Sequence, residues 1–326
     1  MGIILPDTKT SQRWATDDPK FLKAAFDAAG VPVDIKNAEG SRDAFVSIAD
    51  DMIASGVRVR MIVNLDSTSG KAVLDKAKAA GIKTIDYDRL TLNGGADYYV
   101  SFDNFKVGVL QCQGLVKCLK DKGYTNPVVA ELNGSPTDNN ATDFKAGYDS
   151  ILQPKYDAAA YTKGPDQSVP DWENEAGGVI FQQMLDQQPR IKGVLAANDG
   201  LAGAVIKVLK KKNLHGKVPV TGQDATVEGL QNVLSGDQCM TVYKAIKPEA
   251  EAAAGLAIKL YNGEKPADQE LGKQKDPESG AYVPFQKLEP KAIDKNNVGD
   301  VIDDGFVARG AVCKGKFAEL CKDAGI

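Results

Sequence analysis

Histidine is nearly missing from this chain, and that scarcity narrows its chemistry at once. Among 326 residues the only histidine is His215, in the turn Asn213–Gly216 after a lysine run, where it is expected to be exposed. No Cys or His spacing of the zinc-ligand kind occurs, and there is no Gly-rich phosphate loop and no nucleophile elbow. The stretch from Asp294 starts like a calcium loop. Its fifth position is Val298 and its twelfth is Gly305 in place of Glu, so no metal site is assigned. No apolar run approaches the roughly 18–20 residues that span a bilayer, so direct membrane insertion is not expected. Nor is there an excess of positive charge: 40 Lys and Arg against 44 Asp and Glu give a net charge of −4, no basis for a nucleic-acid partner. These absences leave no catalytic residue, metal or cofactor to expect.

Cysteine is scarce too, and its five copies make an odd set. Cys112 and Cys118 lie six residues apart in one predicted helix, too far to bridge each other. Cys313 and Cys321 flank the last predicted helical turn. They can close a small loop, or remain two thiols in a frayed tail. A bridge there would favour an extracytoplasmic home. No signal peptide is visible, because Gly2–Leu5 already reads as a core strand. An export signal, with or without a lipid anchor, is expected to have been trimmed ahead of this numbering.

What is present is an α/β pattern, twice. The length suggests two domains at roughly 100–200 residues each. The pivot is Tyr98–Gly108, which reads as a strand, a polar turn at Asp103-Asn104 and the entry to a helix. Before it, strands at Ile3–Pro6, Val31–Ile35, Met61–Leu65 and Lys83–Tyr87 alternate with helices, the first opened by Asp18-Pro19 as cap and first helical residue. After it come strands at Pro127–Leu132, Gly193–Ala197 and Val218–Gly222. An extended run Met240–Lys244 and a long helix Pro248–Tyr261 follow. Asn262–Gly280 reads as a surface loop, Tyr282–Leu288 as a last extended segment, and the rest as a polar tail. Strands separated by helices imply parallel sheets covered on both faces.

Ligands of open parallel sheets bind beyond the carboxyl ends of the strands. Those ends carry Asp7 with Arg13-Trp14, then Asn64 and Asp66, then Asp88-Arg89 in the first half. In the second half they carry Asp138, Asn139 and Asn140, then Asn198-Asp199, Gln223-Asp224 and Lys244. Such a set suits a neutral polyol, whose hydroxyls both donate and accept. Trp14 and Trp172, one in each half, could stack on the C–H faces of a sugar ring. Each residue also has a plainer reading. Asp199 is expected to cap the helix after it, and Asp66 to cap a helix after Ser67 or to meet a ligand. Asp88-Arg89 reads, alone, as an exposed ion pair, and either tryptophan as a loop plug.

Six motifs in order give the pattern a family likeness. They are Gln12-Arg13-Trp14, Tyr87-Asp88-Arg89, Ser101-Phe102-Asp103-Asn104, Gly134 to Ala141, Gly222-Gln223-Asp224-Ala225 and Met240 to Lys244. The chain resembles the periplasmic sugar-binding proteins of bacterial ABC importers, in particular their xylose-binding branch, from the first strand to Asp304-Gly305-Phe306. The resemblance implies two Rossmann-like lobes, 1–103 with 245–283 and 104–244 with 284–326. Crossovers would fall at Ser101–Phe105, Tyr243–Ala245 and Val283–Phe285. It implies ligand contacts from Arg13, Trp14 and Arg89 in the first lobe and Asp138, Asn140, Trp172, Asn198 and Asp224 in the second, with Lys244 at the hinge. Asp88 and Lys9 stand at the edge of that set. Pro170–Asn174 does not align cleanly with the family's tryptophan loop, and the tail beyond Phe306 departs from the family. The implied role is capture of a monosaccharide, D-xylose first, in an interlobe cleft that shuts by hinge closure. The bound form would be handed to an ABC transporter permease. Filling near Trp14 would exclude a hexose's extra CH₂OH. The implied protein is a periplasmic or extracellular monomer and not an enzyme. Alternatives are another aldose, the sensor core of a lac-repressor-type regulator, for which no basic helix-turn-helix precedes Gly2, and a pentose-acting enzyme.

Overall fold

A computed structural model of the chain describes residues 1–266 and 271–326. The elements begin with β1 (Gly2–Leu5), α1 (Asp17–Ala28), β2 (Asp34–Asn37), α2 (Arg42–Ala54), β3 (Val59–Ile62), α3 (Ser67–Ala79), β4 (Lys83–Tyr87) and β5 (Tyr98–Phe102). Next come α4 (Asn104–Asp121), β6 (Val128–Asn133), α5 (Asn139–Asp157), β7 (Thr162–Ser168), α6 (Asn174–Gln187), β8 (Ile191–Ala196), α7 (Asp199–Lys211) and α8 (Val227–Ser235). The last are β9 (Thr241–Tyr243), α9 (Ile246–Tyr261), β10 (Gly272–Lys275), β11 (Tyr282–Leu288), β12 (Lys291–Ile293), α10 (Gly299–Asp303), α11 (Arg309–Val312) and α12 (Phe317–Asp323). Short 3₁₀ turns at Gln12–Trp14 and Pro170–Trp172 carry the two tryptophans.

The elements sort into two units. The first comprises Met1–Asp103, Thr137–Asn140 and Ala245–Glu289. The second comprises Asn104–Pro136, Ala141–Lys244 and Pro290–Ile326.

The first unit is built on a seven-stranded sheet of order β10-β11-β5-β4-β3-β1-β2. Its pairings are parallel except for β10 with β11. Successive side chains of a strand face opposite ways. Ile3 and Leu5 accordingly pack with Leu22 and Phe26 of α1 and the alanines of α9, while Ile4 packs with Phe45, Ala49 and Met52 of α2. Apolar residues on both faces are what a doubly covered parallel sheet requires. Ser41 starts α2 by accepting the Ala44 N–H at 3.2 Å.

Three expectations shift here. The second strand begins only at Asp34, at the polar sheet edge, so Val31 lies outside it. The loop expected over Asn262–Gly280 contains β10, hydrogen-bonded to β11; residues 267–270 of that stretch lie outside the described residues. The crossover expected at Val283–Phe285 falls inside β11. Val283 and Phe285 are buried, and Phe285 stacks on Tyr99 of β5 with ring centroids 4.6 Å apart.

The second unit holds a three-stranded parallel sheet, β7-β6-β8, and an antiparallel pair, β12-β9. The strand expected at Val218–Gly222 reduces to a single parallel bridge between Val194 and Val220. β7, Thr-Lys-Gly-Pro-Asp-Gln-Ser, carries no apolar alternation and was not foreseen. It pairs with β6 at a sheet edge, with a register shift between Val129 and Glu131 opposite Gly164-Pro165. The expected polar tail carries β12 and three short helices. Ile293, Val298, Val301, Val312 and Cys321 are each fully buried, anchors too sparse to produce a periodic signal.

Two disulfides cross-link this unit. Cys313–Cys321 joins α11 to α12, the pairing that the sequence left open. Cys118–Cys239 ties α4 to the segment ahead of β9, a pairing not read from sequence. Cys112 is a buried free thiol, pushed up to about 12 by burial.

Candidate functional site

In the first unit the site begins with Arg13. All but one of its N–H groups are committed. Nε and Nη2 donate to the two oxygens of Asp18 at 2.8 Å, Nη1 donates to Asp88 at 2.7 Å, and Nη2 donates to Glu249 at 2.6 Å. Burial opposes the charge, but Asp18, Asp88 and Glu249 outweigh it and hold the guanidinium's pKa well above its ordinary value. Tyr87 also donates to Asp18, at 2.6 Å; its hydroxyl is pushed well up by burial and by that carboxylate. Asp18 was expected to open α1 as a cap. It is fully buried beneath Arg13 instead, and α1 starts after Thr16 without a side-chain cap.

Trp14 is buried, with the Arg13 guanidinium 4.1 Å and that of Arg89 5.7 Å from its ring centroid. Arg89 Nε lies 3.0 Å from Asp138 Oδ2, and Arg89 Nη1 donates to the Asn64 carbonyl at 3.1 Å. Asp88 and Arg89 are thus both buried and paired with other residues, and the exposed ion pair between them does not form.

Asp88 has a positive φ of 61°, a costly conformation for a residue with a Cβ. Three donors converge on its carbonyl: Ser101 Oγ at 2.8 Å, Asn140 Nδ2 at 2.9 Å and the Tyr99 hydroxyl at 3.0 Å. Asp138 accepts the Asn140 N–H at 2.9 Å. Thr137–Asn140 therefore pack with the first unit, although the chain on either side belongs to the second. Asp66 caps α3 by accepting the Ser69 N–H at 2.8 Å, the plainer of its two sequence readings. Its carboxyl is lowered: burial acts upward, and the bonds from Ser69 and Arg42 outweigh it. Lys9 is exposed.

In the second unit Trp172 is buried and meets Phe144 edge-on, ring centroids 6.4 Å apart. Asp171 and Trp172 both have positive φ, 52° and 58°. A Cβ on Gly134 would sit 2.0 Å from the indole, so only glycine lets the ring lie there. Lys244 Nζ lies 5.9 Å from the Phe144 centroid and 3.8 Å from Asp224 Oδ1. Asn198 Oδ1 accepts the Leu201 N–H at 2.8 Å and caps α7, a cap that leaves its amide nitrogen uninvolved. Asp199, expected to be that cap, is buried and faces Gln238, Thr226 and Thr241.

Of the nine residues singled out, Arg13, Trp14, Arg89, Asp138 and Asn140 come together in one unit. In the other, Trp172 and Lys244 both lie against Phe144 and Lys244 faces Asp224, while Asn198 is committed to capping α7 beside Asp199. Sequence reading missed Glu249, Tyr99, Ser101 and Phe144. Glu249 lies 236 positions from Arg13, and no local pattern marks such a pair. Among the described residues no group of three His, Cys, Asp or Glu side chains could hold a metal ion, and no helix is long and apolar enough to cross a membrane.

Comparison with known proteins adds to this geometry. Residues 2–265 match the periplasmic binding protein domain. The D-xylose-binding periplasmic protein of Escherichia coli K12 is 37% identical over 310 residues, covering 94% of this chain and 90% of that relative. The multiple sugar-binding periplasmic receptor ChvE of Rhizobium radiobacter is 33% identical over 321 residues, 94% of this chain and 89% of the receptor. A carbohydrate transporter solute-binding protein from Chloroflexus aurantiacus, solved in complex with D-glucose, superposes with a TM-score of 0.85 at 27% identity, over 95% of this chain and 97% of that one.

Proposed function

The chain belongs to the periplasmic binding protein family, among its sugar-binding members, and on that footing we propose that it captures one neutral aldose, D-xylose first. It works outside the cytoplasmic membrane as a monomer and delivers the sugar, chemically unchanged, to an ABC transporter permease. The observation that carries this reading is that the charges are already paired. Arg13 faces three carboxylates, Arg89 faces Asp138, and Lys244 faces Asp224. An ionic ligand would have to break one of these pairs. A polyol only exchanges water for hydroxyls that donate and accept along the same edges.

The contacts proposed are Arg13, Trp14, Arg89, Asp138 and Asn140, joined by Trp172, Asn198, Asp224 and Lys244 as the two units close over the ring. Closure strips water from the sugar, so a hydroxyl of the wrong stereochemistry costs about 1–3 kcal/mol. A second reading, an aldohexose as ligand, is favoured by the D-glucose complex of the Chloroflexus protein. Calorimetry against D-xylose, L-arabinose, D-ribose and D-glucose separates the two. D-xylose is expected to bind with a micromolar or tighter dissociation constant, and Asp224→Ala to weaken it by about 2 kcal/mol. Absence of binding by every pentose would defeat the proposal.

A further inference from the structure

The segment that presents Asp224 is bent against its preference. Asp224 and Ala225 have φ values of 102° and 52°, two consecutive residues with a Cβ in the region that favours glycine. Such residues are costly and persist only where the surroundings over-determine them. Here the surroundings are largely one residue. The Asp199 N–H donates to the Gln223 carbonyl at 2.9 Å, on the near side of the bend. On the far side Asp199 Oδ2 accepts the Thr226 N–H at 2.9 Å and the Thr226 hydroxyl at 3.2 Å. Asp199 Oδ1 accepts from Gln238 Nε2 and from the Thr241 hydroxyl, both at 2.8 Å. Thr241 Oγ1 in turn accepts the Ala225 N–H at 3.3 Å, and the Asp224 N–H donates to the Val242 carbonyl at 2.8 Å.

Space is as tightly specified as hydrogen bonding. A Cβ on Gly222 would fall 2.1 Å from Asp199 Oδ1, and a Cβ on Gly229 would fall 2.1 Å from Oδ2. The carboxylate therefore lies between two glycines with no room to turn. Burial, and next the charge of Asp224, push the Asp199 carboxyl up to about 7.

We infer that Asp199 is the positioning residue of the sugar site: it touches no ligand, and it clamps the Gln223–Thr226 bend so that the Asp224 carboxylate meets the sugar hydroxyls beside Lys244. This deepens the proposed function and rests on its reading of Asp224 as a sugar contact. An asparagine at 199 keeps the volume but turns one accepting oxygen into a donor that faces donors already in place.

The test is a double-mutant cycle read by D-xylose calorimetry, with amide hydrogen exchange across residues 223–226 recorded on the same proteins. Asp199→Asn should weaken D-xylose binding at least tenfold in the wild-type background and less than threefold in an Asp224→Asn background. Its Ala225 and Thr226 amides should exchange faster than those of the wild type. Thr241→Val, which removes one of the four donors, should give the same non-additive pattern at smaller size; it carries the test if Asp199→Asn does not fold. A tenfold loss that persists unchanged in the Asp224→Asn background would overturn the inference, because Asp199 would then act independently of Asp224. Unchanged affinity in both variants would overturn it as well. Should the wild type bind no sugar, the proposed function fails by itself. Exchange at 225 and 226 then decides whether Asp199 holds the bend: faster exchange supports the clamp and unchanged exchange rejects it.

Discussion

Single residues behave differently here from what their types suggest, and the two acids Asp86 and Asp199 illustrate why. Burial, with Asp276 adding repulsion, pushes Asp86 up to about 7 although Thr91 donates to it through both its N–H, at 2.7 Å, and its hydroxyl, at 2.8 Å. A folded-state value above the ordinary one near 3.8 means that the folded chain binds this proton more tightly than the unfolded chain. The Asp86 contribution to stability is therefore fully present below about pH 4 and is lost as pH rises through about 7. Asp86→Asn should remove that slope. The unfolding free energy of the wild type from urea titrations should fall relative to that of the variant between pH 5 and 7.5, by on the order of 2–4 kcal/mol in total; parallel curves would contradict it. Asp199 teaches a different lesson. The sequence reading gave the cap to Asp199 and the ligand to Asn198, and the structure gives the cap to Asn198. Asn and Asp cap equally well, so residue type cannot tell which of two neighbours sits where the backbone leaves the helix. Arg13, Trp14 and Arg89 could be singled out because they follow strand ends in sequence, and Asp88 with them; the hold of Glu249 on Arg13 could not, because it comes from 236 positions away.

Among the elements, the long amphipathic helices and central strands were legible, and a helical turn was read near α12, while β7, β10, α10 and α11 were not. The first group repeats its apolar spacing often enough to be seen. The second consists of polar edge strands and one-anchor turns whose existence depends on a partner, as β10 depends on β11. The two disulfides separate along the same line. Cys313–Cys321 closes a span of 8 residues and could be considered from sequence; Cys118–Cys239 closes 121, and only the fold brings its ends together. Cross-linking acts largely by restricting the unfolded chain, with loop-length terms of roughly 5 kcal/mol for the long span and about 2.5 kcal/mol for the short one. Replacing Cys118 and Cys239 together with serine should therefore lower the denaturation midpoint of the second unit about twice as far as replacing Cys313 and Cys321. Equal losses, followed by tryptophan fluorescence in urea, would place the effect in native contacts.

For the whole molecule, the α/β class followed from alternating strands and helices, but the return of Ala245–Glu289 to the first unit left no mark in composition or periodicity. Only the family likeness suggested such a return. A ligand that binds the folded chain alone should stabilise it by mass action, about 2.7 kcal/mol at a hundred times its dissociation constant. Heating with saturating D-xylose should therefore raise the melting temperature by several degrees, while a sugar that calorimetry finds inert leaves it in place. A xylose-dependent rise with no measurable heat of binding, or the reverse, would contradict this coupling. The border of the smaller sheet bears on how densely such molecules can be kept. β7 ends that sheet with Lys163, Gly164, Pro165 and Asp166, so a neighbour attempting to add a strand meets a missing N–H and a charged rim. When these chains are crowded together, that border should therefore not serve as a seam along which they could knit into fibres.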